Sequence, residues 1–335
     1  MNLQPLVEQY RGNILENVHL GLLCGVNDKK ELISEIGNAQ HVTFLRSAAK
    51  PFQAIPVVKA GVPKKLGLTS GEAALFAASQ RGEAYQIEAL ESILKKADIA
   101  EELLLPCPTV PLNDEPRADF YAKGLPKRRI YHNCSGKHLG IIALCKELGY
   151  PVDTYWSLDN PVQQSILDTL SYMTEVPRDE IKIAVDGCGF PVFGIPLQAL
   201  AVGYLKLACP DLIEDEATRE AVIELTGYMN ASPNMIASHG FICSSLLEDS
   251  NIVAKGGAKG VYAFGLKKER MAFALKVIDG AEPPWATIVA SVLEQIGYDN
   301  QATIDRMYAL TPKEIVNDNQ AVVGENRAVF RLFDR

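Results

Sequence analysis

Apolar and polar positions divide the chain into three zones. Residues 1–44 alternate as strands and turns do. His19–Val26 is an apolar run, Asn27-Asp28 a turn, and His41–Leu45 a short strand leading toward a serine. Residues 50–248 read as mainly helical. Leu66–Leu94 repeats its apolar positions at helical spacing, interrupted at Thr69-Ser70-Gly71 and near Arg81-Gly82. Asn160-Pro161 supplies a cap and a first-turn proline for a helix over Val162–Met173, and Thr218–Met229 is a further amphipathic helix. The proline-rich stretch Leu105–Pro126 is expected as an irregular connection.

The third zone returns to strands. Ile252–Ala254, Gly260–Leu266 and Met271–Ile278, separated by glycine-rich and charged turns, predict an antiparallel meander. Pro284–Ile296 follows as a helix, and Arg327–Phe333 is a candidate last strand. Strands at both ends with helices between them predict an α+β fold, an antiparallel sheet built from the two termini with a helical lobe inserted. The expected division is residues 1–60 with 249–335 as the sheet-containing lobe and 61–248 as the helical lobe, with the active site between them.

Composition narrows the class. A chain of 335 residues with 47% hydrophobic and 22% charged residues is that of a soluble globular protein with ample core. The net charge of -8 argues against nucleic acid or an anionic membrane as partner. The start, Met1-Asn-Leu-Gln-Pro5, has no basic segment followed by an apolar one, so no signal peptide is expected. The longest uncharged run, Gly187–Leu205, carries Gly189, Pro191, Gly194 and Pro196 and reads as core rather than as a membrane span. Seven cysteines, an odd number, fit a reducing, cytoplasmic setting. Cys24, Cys107, Cys145, Cys209 and Cys243 read as packing residues.

Candidate chemistry gathers in two stretches. In Phe44–Phe52, Ser47 and Lys50 stand three apart and share one helical face. A hydroxyl becomes a nucleophile when a base takes its proton, and an amine serves when burial or positive neighbours such as Arg46 disfavour its ammonium form. Ser-x-x-Lys is the smallest local unit of this kind, and β-lactamases and penicillin-binding proteins use it. The second stretch is His132–Gly140. Ser135 reads as a helix N-cap, which puts Cys134 just outside the helix and Lys137 in its first turn. The positive end of the helix dipole then favours a thiolate at Cys134 and a neutral amine at Lys137. Such a pair is a half-site for zinc, with Cys188 in Asp186–Pro191 as a possible further ligand.

Arg46-Ser-Ala-Ala-Lys-Pro51, His132-Asn-Cys-Ser-Gly-Lys-His138 and Asp186-Gly-Cys-Gly-Phe-Pro191, in this order, resemble the asparaginase II family of rhizobial type. Arg11-Gly-Asn13 with Glu16 and His19, Lys255-Gly-Gly-Ala-Lys-Gly260 and Leu275–Gly280 extend the likeness over roughly residues 8–330. The resemblance implies a fold similar to serine β-lactamases and glutaminases. It also implies hydrolysis of L-asparagine to L-aspartate and ammonia, usually by a homodimer. Ser47 would be the nucleophile, Lys50 its base, and Ser79 a second active-site serine. Lys255 is the expected partner of Ser79, with Lys259 and Lys276 nearby on the strands. Cys134, Lys137 and Cys188 would bind zinc, with Asp186 close by, and Arg46, Ser135 and His138 would lie around substrate or metal. The chain departs from the family at Ala78-Ser-Gln80, where Ser-His is usual, and at Ser232–Gly240, where a His-Pro-Glu run is expected. Altered specificity, toward glutamine or another small amide, is therefore an alternative, as is an amino-acid-binding scaffold without turnover.

Overall fold

The computed structural model describes residues 2–333. Its strands are, in chain order, β1 (Gln4–Arg11), β2 (Ile14–Val26), β3 (Leu32–Ile36), β4 (Val42–Phe44), β5 (Lys182–Val185), β6 (Pro191–Pro196), β7 (Ile252–Gly257), β8 (Val261–Leu266), β9 (Met271–Val277), β10 (Glu314–Val316) and β11 (Val322–Ala328). The chain falls into two compact units. One comprises Met1–Ala48, Ile195–Cys209 and Gly240–Arg335, the other Ala49–Gly194 and Pro210–His239. Relative to the division expected at residues 60 and 248, the helix Lys50–Lys59 falls with the helical unit. The helix Leu197–Ala208 falls with the sheet.

The first unit is an antiparallel sheet in the order β10-β11-β1-β2-β9-β8-β7, with β3 added to β2. Both termini contribute, because β1 pairs β11 in the register Val7 to Ala328 and Gln9 to Asn326. β7 and β8 are buried along their whole length and are nearly free of charge, as a strand covered on both faces must be. One cover is the helix Leu197–Ala208, which packs on β2, β7, β8 and β9. The other is the helix Pro284–Gln295, whose Trp285 ring lies 5.2 Å from that of Tyr262.

The second unit surrounds the helix Lys50–Lys59, buried from Lys50 to Val58 and packed on the helices Ser135–Leu148, Pro161–Thr174 and Glu216–Ala231. The Asn160 cap forms as expected, its side chain accepting from the Val162 N–H at 3.0 Å. Where helical periodicity was interrupted, Thr69 and Glu72 make a capping box that starts a new helix at Ser70.

Several expectations are corrected. The last strand is Val322–Ala328, five of the seven residues of the expected Arg327–Phe333 lying beyond its pairing with β1, and β10 precedes it. Leu105–Pro126 is not wholly irregular, because Asp114–Ala122 is helical with Pro116 in the first turn, where its missing N–H costs nothing. β5 and β6 form a hairpin inside the zone read as helical. Cys107 is exposed, whereas Cys24, Cys145, Cys209 and Cys243 are buried. No helix among the described residues is long and apolar enough to cross a membrane.

A buried carboxylate ties the end of the sheet unit together. Asp249 accepts from Tyr298 Oη and Thr303 Oγ1, both at 2.7 Å, from Asn300 Nδ2 at 2.8 Å and from the Asn251 N–H at 3.0 Å. Burial alone would raise its pKa, but the donors, led by Thr303 and Tyr298, outweigh it and the pKa is lowered. A carboxylate with a depressed folded pKa stabilises the fold above its unfolded value near 3.9, and that contribution is lost as pH falls through the folded value. Asp249→Asn is therefore expected to cost about 2–4 kcal/mol at pH 7. Urea unfolding should also show a shallower loss of stability below about pH 4 than in the wild type.

Candidate active site

After β4 the chain enters a tight turn, Arg46–Ala49, and passes directly into the helix Lys50–Lys59. The turn is 3-10, with three residues per revolution, so positions 47 and 50 fall one above the other along the chain. Ser47 is half-buried, and Arg46 takes a left-handed φ of 50°. β7 runs hard against this turn. A Cβ on Gly257 would lie 2.3 Å from the Leu45 carbonyl oxygen and 3.1 Å from the Ala48 nitrogen, so only glycine permits the approach. Tyr204 Oη fixes the turn from the helix side by donating to the Ala48 carbonyl at 2.8 Å. Lys255, buried on β7, donates to the Gly256 carbonyl at 2.7 Å.

Lys50 is the first residue of its helix and only 1% exposed. Its Nζ donates to the Ala78 carbonyl at 2.5 Å, to the Asn133 carbonyl at 3.2 Å and to Ser79 Oγ at 3.1 Å. Of these three acceptors only the hydroxyl can also donate. Lys50, expected as the base of Ser47, thus also meets Ser79.

Ser79 and the Cys134 segment are clamped by a residue that the sequence marked only as a departure. Gln80 is fully buried. Its Nε2 donates to the carbonyls of Ile130 at 3.1 Å and His132 at 2.9 Å, and its Oε1 accepts from the Gly82 N–H at 2.6 Å. The Ser79 N–H in turn donates to the Ile236 carbonyl at 2.7 Å.

The helix at the second stretch runs Ser135–Leu148, and its N-cap is Cys134 rather than Ser135. Ser135 is buried in the first turn, its Oγ 3.5 Å from Gln80 Nε2. Lys137 lies one turn in, 3% exposed, with its Nζ 3.2 Å from Cys188 Sγ and 4.3 Å from the Phe190 ring centre. Cys188 arrives on the turn between β5 and β6, which Asp186 closes by donating its N–H to the Phe190 carbonyl at 2.7 Å. His138 is fully buried, its Nδ1 2.8 Å from Tyr155 Oη, and that oxygen accepts from the Leu105 N–H at 2.8 Å.

The two thiols are driven in opposite directions. A hydrogen bond from the Cys188 thiol lowers the Cys134 pKa well below the ordinary thiol value; burial opposes this, and the charges of Lys50 and Lys137 assist it. Cys188 keeps its proton, its pKa raised by bonding to Cys134 and by burial. Burial works against a charge on Lys137, but Cys188 and Cys134 outweigh it and raise its pKa. Without a metal, the direction on Lys137 is thus opposite to that expected from the helix dipole alone. A dipole end contributes on the order of 0.3–1 kcal/mol, less than an adjacent buried thiolate. His138 is held neutral by burial first and then by the charge on Lys137.

Two sulfurs and an amine in one buried cluster suit a borderline-soft divalent metal such as zinc. Among the described residues no group of three or more His, Cys, Asp or Glu side chains is placed to hold a metal, so such a site would draw on Lys137 as its third donor. Chelator-treated wild-type protein at pH 7 is expected to show thiolate absorbance near 240 nm, and Lys137→Met to lose most of it. An unchanged spectrum would mean that the lysine does not hold the sulfur in its charged form.

A protein-family profile described as L-asparaginase II matches residues 7–328. No curated protein is significantly similar to the chain. Among solved structures, the chain is similar to a β-lactamase from Mycobacterium bovis at 14% identity, covering 82% of this chain and 94% of that one with a TM-score of 0.43. A putative β-lactamase from Bacteroides dorei gives 14% identity, 82% and 93% coverage and a TM-score of 0.43. Mglu in its native form gives 13% identity and a TM-score of 0.35, with 87% of this chain covered but only 60% of Mglu.

Proposed function

The chain belongs to the L-asparaginase II family, and we propose that it is an amidohydrolase converting L-asparagine to L-aspartate and ammonia through an acyl-enzyme on Ser47. The observation that carries this reading is the buried Lys50 amine, 3.1 Å from Ser79 Oγ and one 3-10 turn along the chain from Ser47. Two carbonyls, Ala78 and Asn133, occupy two of its N–H groups. Once the proton shared with Ser79 is given up, an amine so held would keep its two carbonyl bonds and present its lone pair toward the hydroxyl, the arrangement a general base requires.

In the proposed cycle Lys50 takes the Ser47 proton as the oxygen attacks the amide carbon, and the proton passes through Ser79 to the departing ammonia. Water then opens the ester by the reverse proton path. Backbone N–H groups of the turn and helix start at Ser47 would face the oxyanion. Lys255 is proposed as the second lysine of the cycle. Zinc held by Cys134, Lys137 and Cys188 would supply a cation to grip the substrate's amino or carboxylate group, its acidity damped by thiolate charge. Arg46, Ser135, His138 and Asp186 complete the proposed surroundings.

A specific observation favours a second reading, altered amide specificity. The segment Ser232–Gly240, which departs from the family pattern, contacts the Ser79 backbone through the Ile236 carbonyl. It is also bonded to Gln86 Nε2 through the carbonyls of Asn234 at 3.0 Å and Ala237 at 2.7 Å. A changed backing for Ser79 would move its hydroxyl relative to a longer or shorter amide.

Ammonia release from L-asparagine and L-glutamine, with and without added zinc, tests both readings. The wild type is expected to favour asparagine, and Ser47→Ala to lose on the order of 10³-fold or more in kcat. A preference for glutamine would select the second reading, and turnover of neither amide would overturn both. Cys188→Ala is expected to raise KM more than it lowers kcat; the opposite pattern would make the metal a participant in bond breaking.

A further inference from the structure

The face of the sheet that carries the Ser47 turn also carries a lysine that the proposed cycle leaves unused. Strand registers align Gly257, Val261, Lys276 and Leu22 in one row across β7, β8, β9 and β2. Side chains of one such row project to the same face. Gly257 abuts the Leu45 carbonyl and Ala48 N–H, so the face in question is the one holding Ser47. Lys276 stands two strands, about 10 Å, along that row. It is half-buried, and its Nζ donates to the Lys259 carbonyl in the turn between β7 and β8.

The charges around Lys276 are mostly of one sign. Burial lowers its pKa, Asp279 opposes this, and the charges of Lys259 and Arg46 add to it. Neighbouring His41 is likewise lowered, first by burial and then by Lys276. The single carboxylate, Asp279, is already engaged by His19 Nδ1 at 2.8 Å and the Ala281 N–H at 2.7 Å. A chain of net charge -8 thus carries Arg46 next to its candidate nucleophile and Lys276 and Lys259 on the same face of the sheet, where mutual repulsion would be relieved by an anionic ligand.

We propose that Lys276, together with Arg46, forms an anion-binding pair on the Ser47 face of the sheet and takes the α-carboxylate of the amino-acid amide. The proposal rests on the amidohydrolase reading and deepens it, assigning Lys276 to specificity rather than to bond breaking. A charge-assisted bond to the α-carboxylate selects amino-acid amides over simple amides. The competing account is a staple, in which Lys276 merely holds the turn at Lys259.

The test uses β-alaninamide, which is asparagine without its α-carboxylate, and β-alanine, which is aspartate without it. Lys276→Met is expected to raise KM for L-asparagine about tenfold or more with kcat nearly unchanged, Lys276→Arg to recover most of the loss, and β-alaninamide turnover to stay as in the wild type. Calorimetric binding of L-aspartate against β-alanine should show the same split without turnover. If the wild type hydrolyses neither amide yet binds L-aspartate in a Lys276-dependent way, the anion site stands and the catalytic reading falls. Unaltered L-aspartate binding in Lys276→Met overturns the proposal, as does a fall in kcat at constant KM. Equal loss for asparagine and β-alaninamide together with a lowered Tm would establish the staple instead.

Discussion

An amine 1% exposed to water must have its N–H groups met, and at Lys50 that constraint organises the helical unit. The Ala78 and Asn133 carbonyls come from segments 28 and 83 residues further along the chain, so Lys50 draws the Ser79 segment and the Cys134 segment to one point. The Gln80 amide repeats the link one step away, bridging toward Ile130 and His132. A serine placed between two such bridges has little freedom, which is the condition for a hydroxyl that must exchange a proton with a fixed base.

The sulfur cluster next to it obeys the same rule in electrostatic form. Two buried thiols and a buried amine cannot all be neutral without leaving polar groups unpaired, nor all be charged without large desolvation. The pKa of Cys134 is accordingly lowered and those of Cys188 and Lys137 are raised, with the Phe190 ring 4.3 Å from the amine. The arrangement stores two protons, one on Cys188 and one on Lys137, that a divalent metal would have to displace. Metal uptake by these residues is accordingly coupled to proton release.

Much of this was legible in the residues. The zones of alternating and helical spacing, the Asn160 cap and the meander at β7–β9 followed from local pattern, because each depends on neighbours in sequence. The pairing of Lys50 with Ser79 did not, since a four-residue spacing points to Ser47 and the contact to Ser79 is made through tertiary packing of segments nearly thirty residues apart. Gln80 could be seen as unusual but not as a clamp, because its partners are backbone carbonyls and leave no signature in residue type. The β5–β6 hairpin was hidden inside a run of apolar residues and glycines that fits a buried helix or strand equally well. Lys137 differs for another reason: the helix dipole is visible from sequence, while the Cys188 thiol, whose hydrogen bond lowers the Cys134 pKa, comes from a distant turn.

The seam between β1 and β11 joins residues as far apart as Gln9 and Asn326, whose side chains meet at 2.7 Å. On a ribosome, one edge of β1 finds β2 almost at once, but its other edge stays open until nearly the whole chain has emerged. The helical segments between them are synthesised first and have their own local contacts to make. The sheet is therefore the last part to close, and the exposed edge of β1 is the stretch that a chaperone, or a stray strand from another molecule, would meet during translation.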